Sequence, residues 1–554
     1  MADVLFAPAN SAHIRPGSTD PDWWRGAVIY QIYPRSFQDS NGDGIGDLRG
    51  ILNRIDYISD LGVDGIWLSP FFTSPMHDFG YDVSDFENVD PMFGTLACFD
   101  ELIEAAHARG LKVLIDLVIS HSSDQHPWFV ESRSSRNNSK ADWYVWADCK
   151  PEGSPPNNWL SLFGGSAWEW DATRRQYYLH NFLASQPDLN FHNPEVQDAV
   201  LSAARFWLDR GVDGFRLDTV NFYFHDRDLR DNPPHIGGVE PTTVKADNPY
   251  ALQHHLYDKS QPENLKFLER LRTLLDEYPG TTSVGEIGDD GRSIELTAAY
   301  TEVGKRIHMA YSFDLLTPHH SASYVRHVIE NMENGLGTGW PSWALSNHDV
   351  TRVVSRWGAD HDPAEFAPLA TALLTSLRGT ACIYQGEELG LEEADVPYEL
   401  LQDPYGLRFW PKFKGRDGCR TPMPWSSKAP SSGFTTGKPW LPVAEPHQRK
   451  SVEAQDGVAG SVLELTRQLL KWRRSQPALH KGSISFVDSP DGTVMFRRQH
   501  KGETLLCVFN LTAAQVEVDL GGLPVTNVGP ACFTCEQSGN TLRLGGLQAF
   551  FGSV

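Results

Sequence analysis

The sequence predicts an α/β protein built on a (β/α)8 TIM barrel, with a domain inserted after the third strand and an antiparallel β domain at the C-terminus. Three observations carry this. Eight short, β-rich apolar runs alternate with amphipathic helical stretches; two connections are far too long for ordinary strand–helix loops; and the texture changes to short alternating strands after Pro477.

The eight runs are Ala27–Tyr33, Val63–Leu68, Lys112–Val118, Val212–Leu217, Thr282–Glu286, Met309–Phe313, Ser342–Leu345 and Thr380–Tyr384. Between them, the stretch from Pro194 to Arg210 places Val196, Val200, Ala203 and Trp207 on one helical face, with Pro at its start and Gly211 as its stop. A second helix runs from Glu263 to Glu277 and is closed by Pro279-Gly280. Strand–helix alternation implies parallel strands joined by crossovers, and eight units favour closure over a doubly wound open sheet. The long stretch from Val118 to Val212, with Lys150-Pro-Glu-Gly-Ser-Pro-Pro-Asn-Asn158, reads as an inserted domain over 121–190. A second insertion, rich in Pro, Gly and Trp, spans about 386–460. A helix follows from about Ser461 to Ser475, and strands such as Val494–Arg498 and Thr504–Phe509 belong to the C-terminal domain. The division is thus an N-terminal extension over 1–22, a catalytic barrel over 23–120 and 191–476, the insert over 121–190, and a β domain over 477–554.

Composition excludes several function classes. Acidic residues outnumber basic ones 71 to 48, a formal charge of −23, so nucleic acid and anionic membrane surfaces are not expected partners. No apolar run reaches the length of a membrane span, and the N-terminal stretch lacks a signal-peptide pattern. Seven cysteines, an odd number, fit reduced thiols and a cytoplasmic location better than a disulfide framework. Cys532 and Cys535 form a lone C-x-x-C without the partners of a zinc site.

In such barrels chemistry sits where strands end. Asp116 and His121 close the third predicted strand, Arg216 and Asp218 the fourth and Glu286 the fifth, while His348 and Asp349 follow the seventh. Any one strand-end carboxylate is more often a cap or an ion-pair partner, but several on one barrel face point to a site. Arg216 and Asp218, two apart, share a face, and an arginine beside a carboxylate keeps it ionised as a nucleophile requires. Glu286, on the next strand and close to other carboxylates, is pushed toward the protonated form that suits a general acid.

At these residues the chain resembles glycoside hydrolase family 13, the α-amylase family. Asp116–His121, Gln186-Pro-Asp-Leu-Asn190, Gly214–Asp218, Glu286 and Asn347-His-Asp349 occur in that family's order, with Ser120 where many members carry Asn. Trp24–Phe37, Gly80–Asp85 and Arg416–Trp425 resemble the bacterial α-glucosidases and oligo-1,6-glucosidases. The resemblance implies a retaining, exo-acting α-glucosidase with Asp218 as nucleophile and Glu286 as acid/base, while Asp349 holds the 2- and 3-hydroxyls. It implies that Arg216 orients the nucleophile, that His121 and His348 bind hydroxyls, and that Asp78 pairs with Arg420 to grip the 4-hydroxyl. Tyr81 is expected under the glucose ring, with Phe163 nearby. In this subgroup the residue after the nucleophile tracks linkage, so Thr219 implies α-1,4 bonds. The expected partners are small α-glucosides: maltose, short maltooligosaccharides, and aryl or alkyl glucosides. The alternatives are a transglucosidase, an oligo-1,6-glucosidase, a sucrose isomerase, or a non-catalytic barrel. The last disagrees with the presence of all three carboxylates, and the Arg-Leu-Asp-Arg-Leu loop of sucrose isomerases is absent.

Asp39-Ser-Asn-Gly-Asp-Gly-Ile-Gly-Asp47 alternates oxygen donors with glycines, a spacing suited to Ca2+ or Mg2+. Gly50 stands where an EF-hand needs Glu. The resemblance implies a structural cation on Asp39, Asn41, Asp43, Asp47 and the Ile45 carbonyl; an Asx-rich turn without metal is the plainer alternative. No organic cofactor is expected.

Overall fold

A computed structural model of the chain describes residues 20–236, 244, 248–289 and 291–554. The N-terminal extension, apart from 20–22, lies outside the described residues.

Eight parallel strands form one sheet: β1 (Val28–Ile32), β2 (Gly65–Leu68), β3 (Lys112–Leu117), β4 (Gly214–Leu217), β5 (Thr282–Ile287), β6 (Met309–Ser312), β7 (Ser342–Ala344) and β8 (Thr380–Tyr384). Their order is β6-β5-β4-β3-β2-β1-β8-β7, and a parallel bridge between Ala310 and Pro341 joins the two ends into a barrel. Both faces of nearly every strand are buried, which is why they read as continuous apolar runs rather than alternating ones. β1, β2 and β4 begin one or two residues later than the apolar runs do, and Val63 and Val212 are buried just outside β2 and β4.

The crossover helices follow the expected logic. The helix Pro194–Asp209 is capped by Asn193, whose side chain accepts from the Glu195 N–H. It ends at Gly211, with φ +96°, a left-handed conformation that favours glycine. Its apolar stripe lies inward. Trp207 stacks on Phe72 with ring centroids 4.8 Å apart and donates its indole N–H to the Phe86 carbonyl at 2.8 Å. Burying such a ring stabilises the packing by about 2–3 kcal/mol.

Segments outside the barrel supply its upper rim. A three-stranded antiparallel sheet of Trp146–Ala147, Gln176–Leu179 and Trp168–Asp171 sits between β3 and the helix beginning at Pro194. After β8 the chain runs through short helical turns to the helix Val462–Arg474. The C-terminal strands form a five-stranded and a three-stranded antiparallel sheet. Strand Thr493–His500 does not alternate cleanly, because its sheet is covered on both sides. Met495, Leu506, Val508 and Phe550 face the small sheet, while Phe509 and Phe551 join the barrel's core, with Trp472 4.6 Å from Phe551. All seven cysteines are free thiols. No helix among the described residues is long and apolar enough to cross a membrane.

Candidate active site

The C-terminal ends of β3, β4 and β5 converge on one guanidinium. In register, Asp116 of β3 pairs with Arg216 of β4, which neighbours Val284 of β5. Side chains two apart on β4 share a face, so Arg216 and Asp218 point together. Arg216 Nη1 lies 2.6 Å from both Asp116 Oδ1 and Asp218 Oδ1, and Nη2 lies 2.7 Å from Glu286 Oε2. Thus one fully buried positive charge faces three carboxyls, and Asp218 and Glu286 are held within reach of the same cation.

That imbalance sets their protonation. Burial is the largest influence on Asp218 and raises it to about 7; Arg216 pulls it down and Asp116 raises it further. Glu286 is likewise raised to about 7, by burial first, against Arg216, with Asp218 and Asp349 adding to the rise. Asp116 rises to about 6 for the same reasons. Arg216 is beside Asp218, but its one charge is shared by three buried carboxyls, so the group retains a proton near neutrality. This suits a pair in which one member attacks and the other donates.

Two further contacts tune Glu286. The Thr219 N–H donates to Oε2 at 3.1 Å, and the Tyr311 hydroxyl donates to Oε1 at 3.0 Å while accepting from Arg216 Nη2 at 3.0 Å. Tyr311 was not foreseen from the sequence. Its signal was present in the strand order, because Tyr311 of β6 is the register partner of Glu286 on β5.

Thr219 sits with φ +41°, and its hydroxyl lies 3.2 Å from Asp218 Oδ2 and 2.9 Å from Ser120 Oγ. Ser120 also meets His121 Nδ1 at 2.9 Å. The Ser120 departure therefore touches the linkage-related threonine directly. His121 donates from Nε2 to the Tyr81 carbonyl at 2.9 Å and stays neutral, since burial lowers it to about 4. His348, lowered to about 3 chiefly by burial, packs face to face with Tyr81 at 5.3 Å and has its Nδ1 2.7 Å from Gln31 Nε2.

The far end of the pocket departs from expectation. Asp78 pairs with Arg416, whose Nη2 lies 2.8 Å from Asp78 Oδ1. Arg420 instead reaches Asp349 Oδ1 at 2.8 Å and the His348 carbonyl at 2.7 Å. The two arginines flank the short turn Asp417–Cys419, and that turn directs Arg420 against Tyr33 and the β7 loop, leaving Arg416 to face Asp78. Arg416 Nη1 also lies 3.3 Å from Asp349, so the Asp78 clamp and Asp349 are bridged by one side chain. Burial raises Asp349, but His348, whose Nε2 lies 3.1 Å from Oδ2, and then Arg416 and Arg420 outweigh it and hold this carboxyl well below the usual range.

These groups surround a pocket of about 140 Å³ lined at its base by Asp218, Glu286, Asp349, Asp78, Arg416 and Tyr81. Its walls are apolar: Leu162, Phe163, Phe182, Phe222, Phe313, Val350 and Tyr405. Phe163 carries the Arg416 guanidinium over its face at 5.1 Å and stacks on Tyr405 at 5.0 Å. Arg216, His348 and Arg420 lie behind the pocket surface and act through the groups they hold.

The Asp39–Asp47 loop lies elsewhere. Asp39 accepts from the N–H groups of Asn41, Gly42 and Gly44 at 2.7–2.9 Å and from the Thr435 hydroxyl; Asp47 caps Gly50 and binds Ser40. The donors are all oxygen, as a hard cation needs, but they are arranged as an Asx-turn network. Among the described residues no three His, Cys, Asp or Glu side chains are gathered to hold a metal.

A (β/α)8 barrel with carboxyls from adjacent strand ends gripping one arginine beside a pocket fits a glycoside hydrolase. The chain belongs to the α-amylase family, glycoside hydrolase family 13: the family's model "Alpha amylase, catalytic domain" matches residues 31–482. It is 57% identical over 543 residues to a "Probable alpha-glucosidase" of Rhizobium meliloti (strain 1021), covering 97% of this chain and 98% of that one. It is 37% identical over 537 residues to an oligo-1,6-glucosidase of Heyndrickxia coagulans, covering 90% and 94%. The crystal structure of XgtA, an "alpha-glucosyl transfer enzyme", superposes with a TM-score of 0.93 at 58% identity, covering 96% and 99%.

Proposed function

We propose that the chain is a retaining, exo-acting α-glucosidase that cleaves terminal α-1,4-linked glucose from maltose and short α-glucosides and passes the glucosyl group to water or to an alcohol. The observation that carries this is the shared grip of Asp218 and Glu286 on Arg216, in a pocket also lined by the Asp78–Arg416 pair.

Asp218 attacks the anomeric carbon as its bond to the leaving oxygen breaks, and Glu286 gives its proton to that oxygen. A β-linked glucosyl ester on Asp218 results. Glu286, now a carboxylate, takes a proton from the incoming water or alcohol, whose oxygen displaces Asp218 and restores the α configuration. Asp349, ionised between Arg416 and Arg420, is placed to accept hydrogen bonds from ring hydroxyls as the sugar flattens. Tyr81 supplies an aromatic surface beneath the ring, and Asp78 and Arg416 bind the terminal hydroxyl and block a longer chain. Thr219, fixed by Ser120, supports α-1,4 preference.

A predominantly glucosyl-transferring enzyme is the second reading. The apolar walls formed by Phe163, Phe182, Phe222 and Tyr405 favour it, because they leave little for water to bind and suit an organic acceptor; the likeness to XgtA points the same way. A digest of maltose with and without an alcohol acceptor, followed by NMR of the first anomer, separates the readings. α-Glucose as the first product is expected, with alkyl glucoside forming when alcohol is present. β-Glucose first would overturn the retaining mechanism.

The Asp39–Asp47 loop is proposed as the seat of a structural Ca2+ or Mg2+, supported by its run of oxygen donors and by the exposed position of Asn41 and Asp43. None of its residues lines the pocket, so it is given no part in the reaction. Seven free thiols support a reducing, cytoplasmic setting.

A further inference from the structure

The geometry points to Asp403 as a positioning residue that fixes the glucose clamp and the acceptor wall together, an inference that rests on the function proposed above. Asp403 lies in the long connection after β8, is fully buried, and is not part of the pocket surface.

On one side it holds Arg416 along an edge. Oδ1 lies 2.8 Å from Nη2, Oδ2 lies 3.1 Å from Nε, and Oδ2 also accepts the Arg416 backbone N–H at 2.7 Å. Nη2 is the same atom that meets Asp78 at 2.8 Å. A guanidinium held on its Nε–Nη2 edge cannot swing, so its remaining donors are aimed at Asp78 and Asp349. Burial raises the Asp403 carboxyl, yet Arg416 outweighs it and keeps the group ionised.

On the other side Asp403 caps the short helix Pro404–Phe409: Oδ1 accepts from the Tyr405 N–H at 3.1 Å. Tyr405 stands in the pocket wall, stacked on Phe163 and bonded through its hydroxyl to Asn248 at 2.9 Å. The connection folds tightly around this carboxylate. A Cβ at Gly415, where φ is +83°, would lie 2.7 Å from Asp403 Oδ2. The Asp403 N–H in turn donates to Asp417 at 2.9 Å. One carboxylate therefore sets the direction of the arginine that grips the terminal sugar and the placement of the ring that meets the acceptor.

Asp403→Asn tests this with an aryl α-glucoside as donor and ethanol as acceptor, alongside a thermal midpoint. The loss of a charged partner should release Arg416 and raise KM by about tenfold, with kcat held within about threefold. The fraction of glucosyl passed to ethanol should change by at least about twofold, because Tyr405 loses its cap. A merely structural role would lower the amount of active enzyme and so kcat, leaving KM and the transfer fraction as they were; that result overturns the inference. Should Asp403→Asn fail to fold, Asp403→Glu, which keeps the charge but displaces it by one methylene, must show the same rise in KM and shift in transfer, and unchanged values refute the role. Turnover by the parent enzyme with an unaltered variant sinks this inference alone, whereas a parent that turns over no α-glucoside sinks it together with the functional reading.

Discussion

Replacing Tyr311 with Phe removes one oxygen from behind Glu286 and leaves the ring in place. That hydroxyl donates to Glu286 Oε1 at 3.0 Å and accepts from Arg216 at 3.0 Å. Its donated bond favours the carboxylate over the acid, so its loss should raise the proton affinity of Glu286 above its position near 7. A hydrogen bond to a charged acceptor is worth about 1.5–3 kcal/mol net, and 1.36 kcal/mol corresponds to one pH unit. Arg216 remains 2.7 Å from the same carboxyl and absorbs part of the change, so a rise of about one unit is expected. Since the acid is active when protonated, the alkaline limb of the kcat/KM profile should move up by about one unit. The assay is initial-rate kinetics on an aryl α-glucoside across pH in buffers of constant ionic strength. A limb that stays in place, or moves down, would refute the claim that Tyr311 tunes the acid.

Asp218→Asn and Glu286→Gln should each lower kcat by several orders of magnitude with the fold intact by circular dichroism, and near-normal activity in either would contradict the assigned roles. Thr219→Val removes the hydroxyl shared by Asp218 and Ser120 and should shift the ratio of maltose to isomaltose turnover toward isomaltose; an unchanged ratio refutes the link to linkage preference. Chelation should lower the thermal midpoint and Ca2+ or Mg2+ should restore it if the Asp39–Asp47 loop binds a cation, because a ligand bound only to the folded state adds to stability. An unchanged midpoint would leave the loop as an Asx-turn network.

The barrel was readable because its physics is local and repeated. Strands buried on both faces appear as apolar runs, and helices such as Pro194–Asp209 announce themselves through a cap, a proline, a stripe and a terminal glycine. Strand ends were readable too, and the period of two put Arg216 beside Asp218 without any coordinates. What escaped were contacts decided by the path of long connections. Arg416 and Arg420 stand four apart in one loop, and sequence spacing could not say which would reach Asp78; the turn between them decides it. Asp403 was hidden for the same reason, since its partners are assigned by how the connection after β8 folds back. An arginine adjacent to Asp218 is visible in sequence, whereas the burial of that carboxyl and the sharing of the arginine by three carboxyls are not.

The central claim is a covalent bond between Asp218 and the sugar. Mass spectrometry of the Glu286→Gln enzyme, quenched during turnover of an aryl α-glucoside with a good leaving group, tests it directly. A proteolytic fragment heavier by one glucosyl group, with the modification on Asp218, is the predicted result. An unmodified Asp218 under conditions in which the aglycone is released in a burst, or a label on another residue, would contradict it.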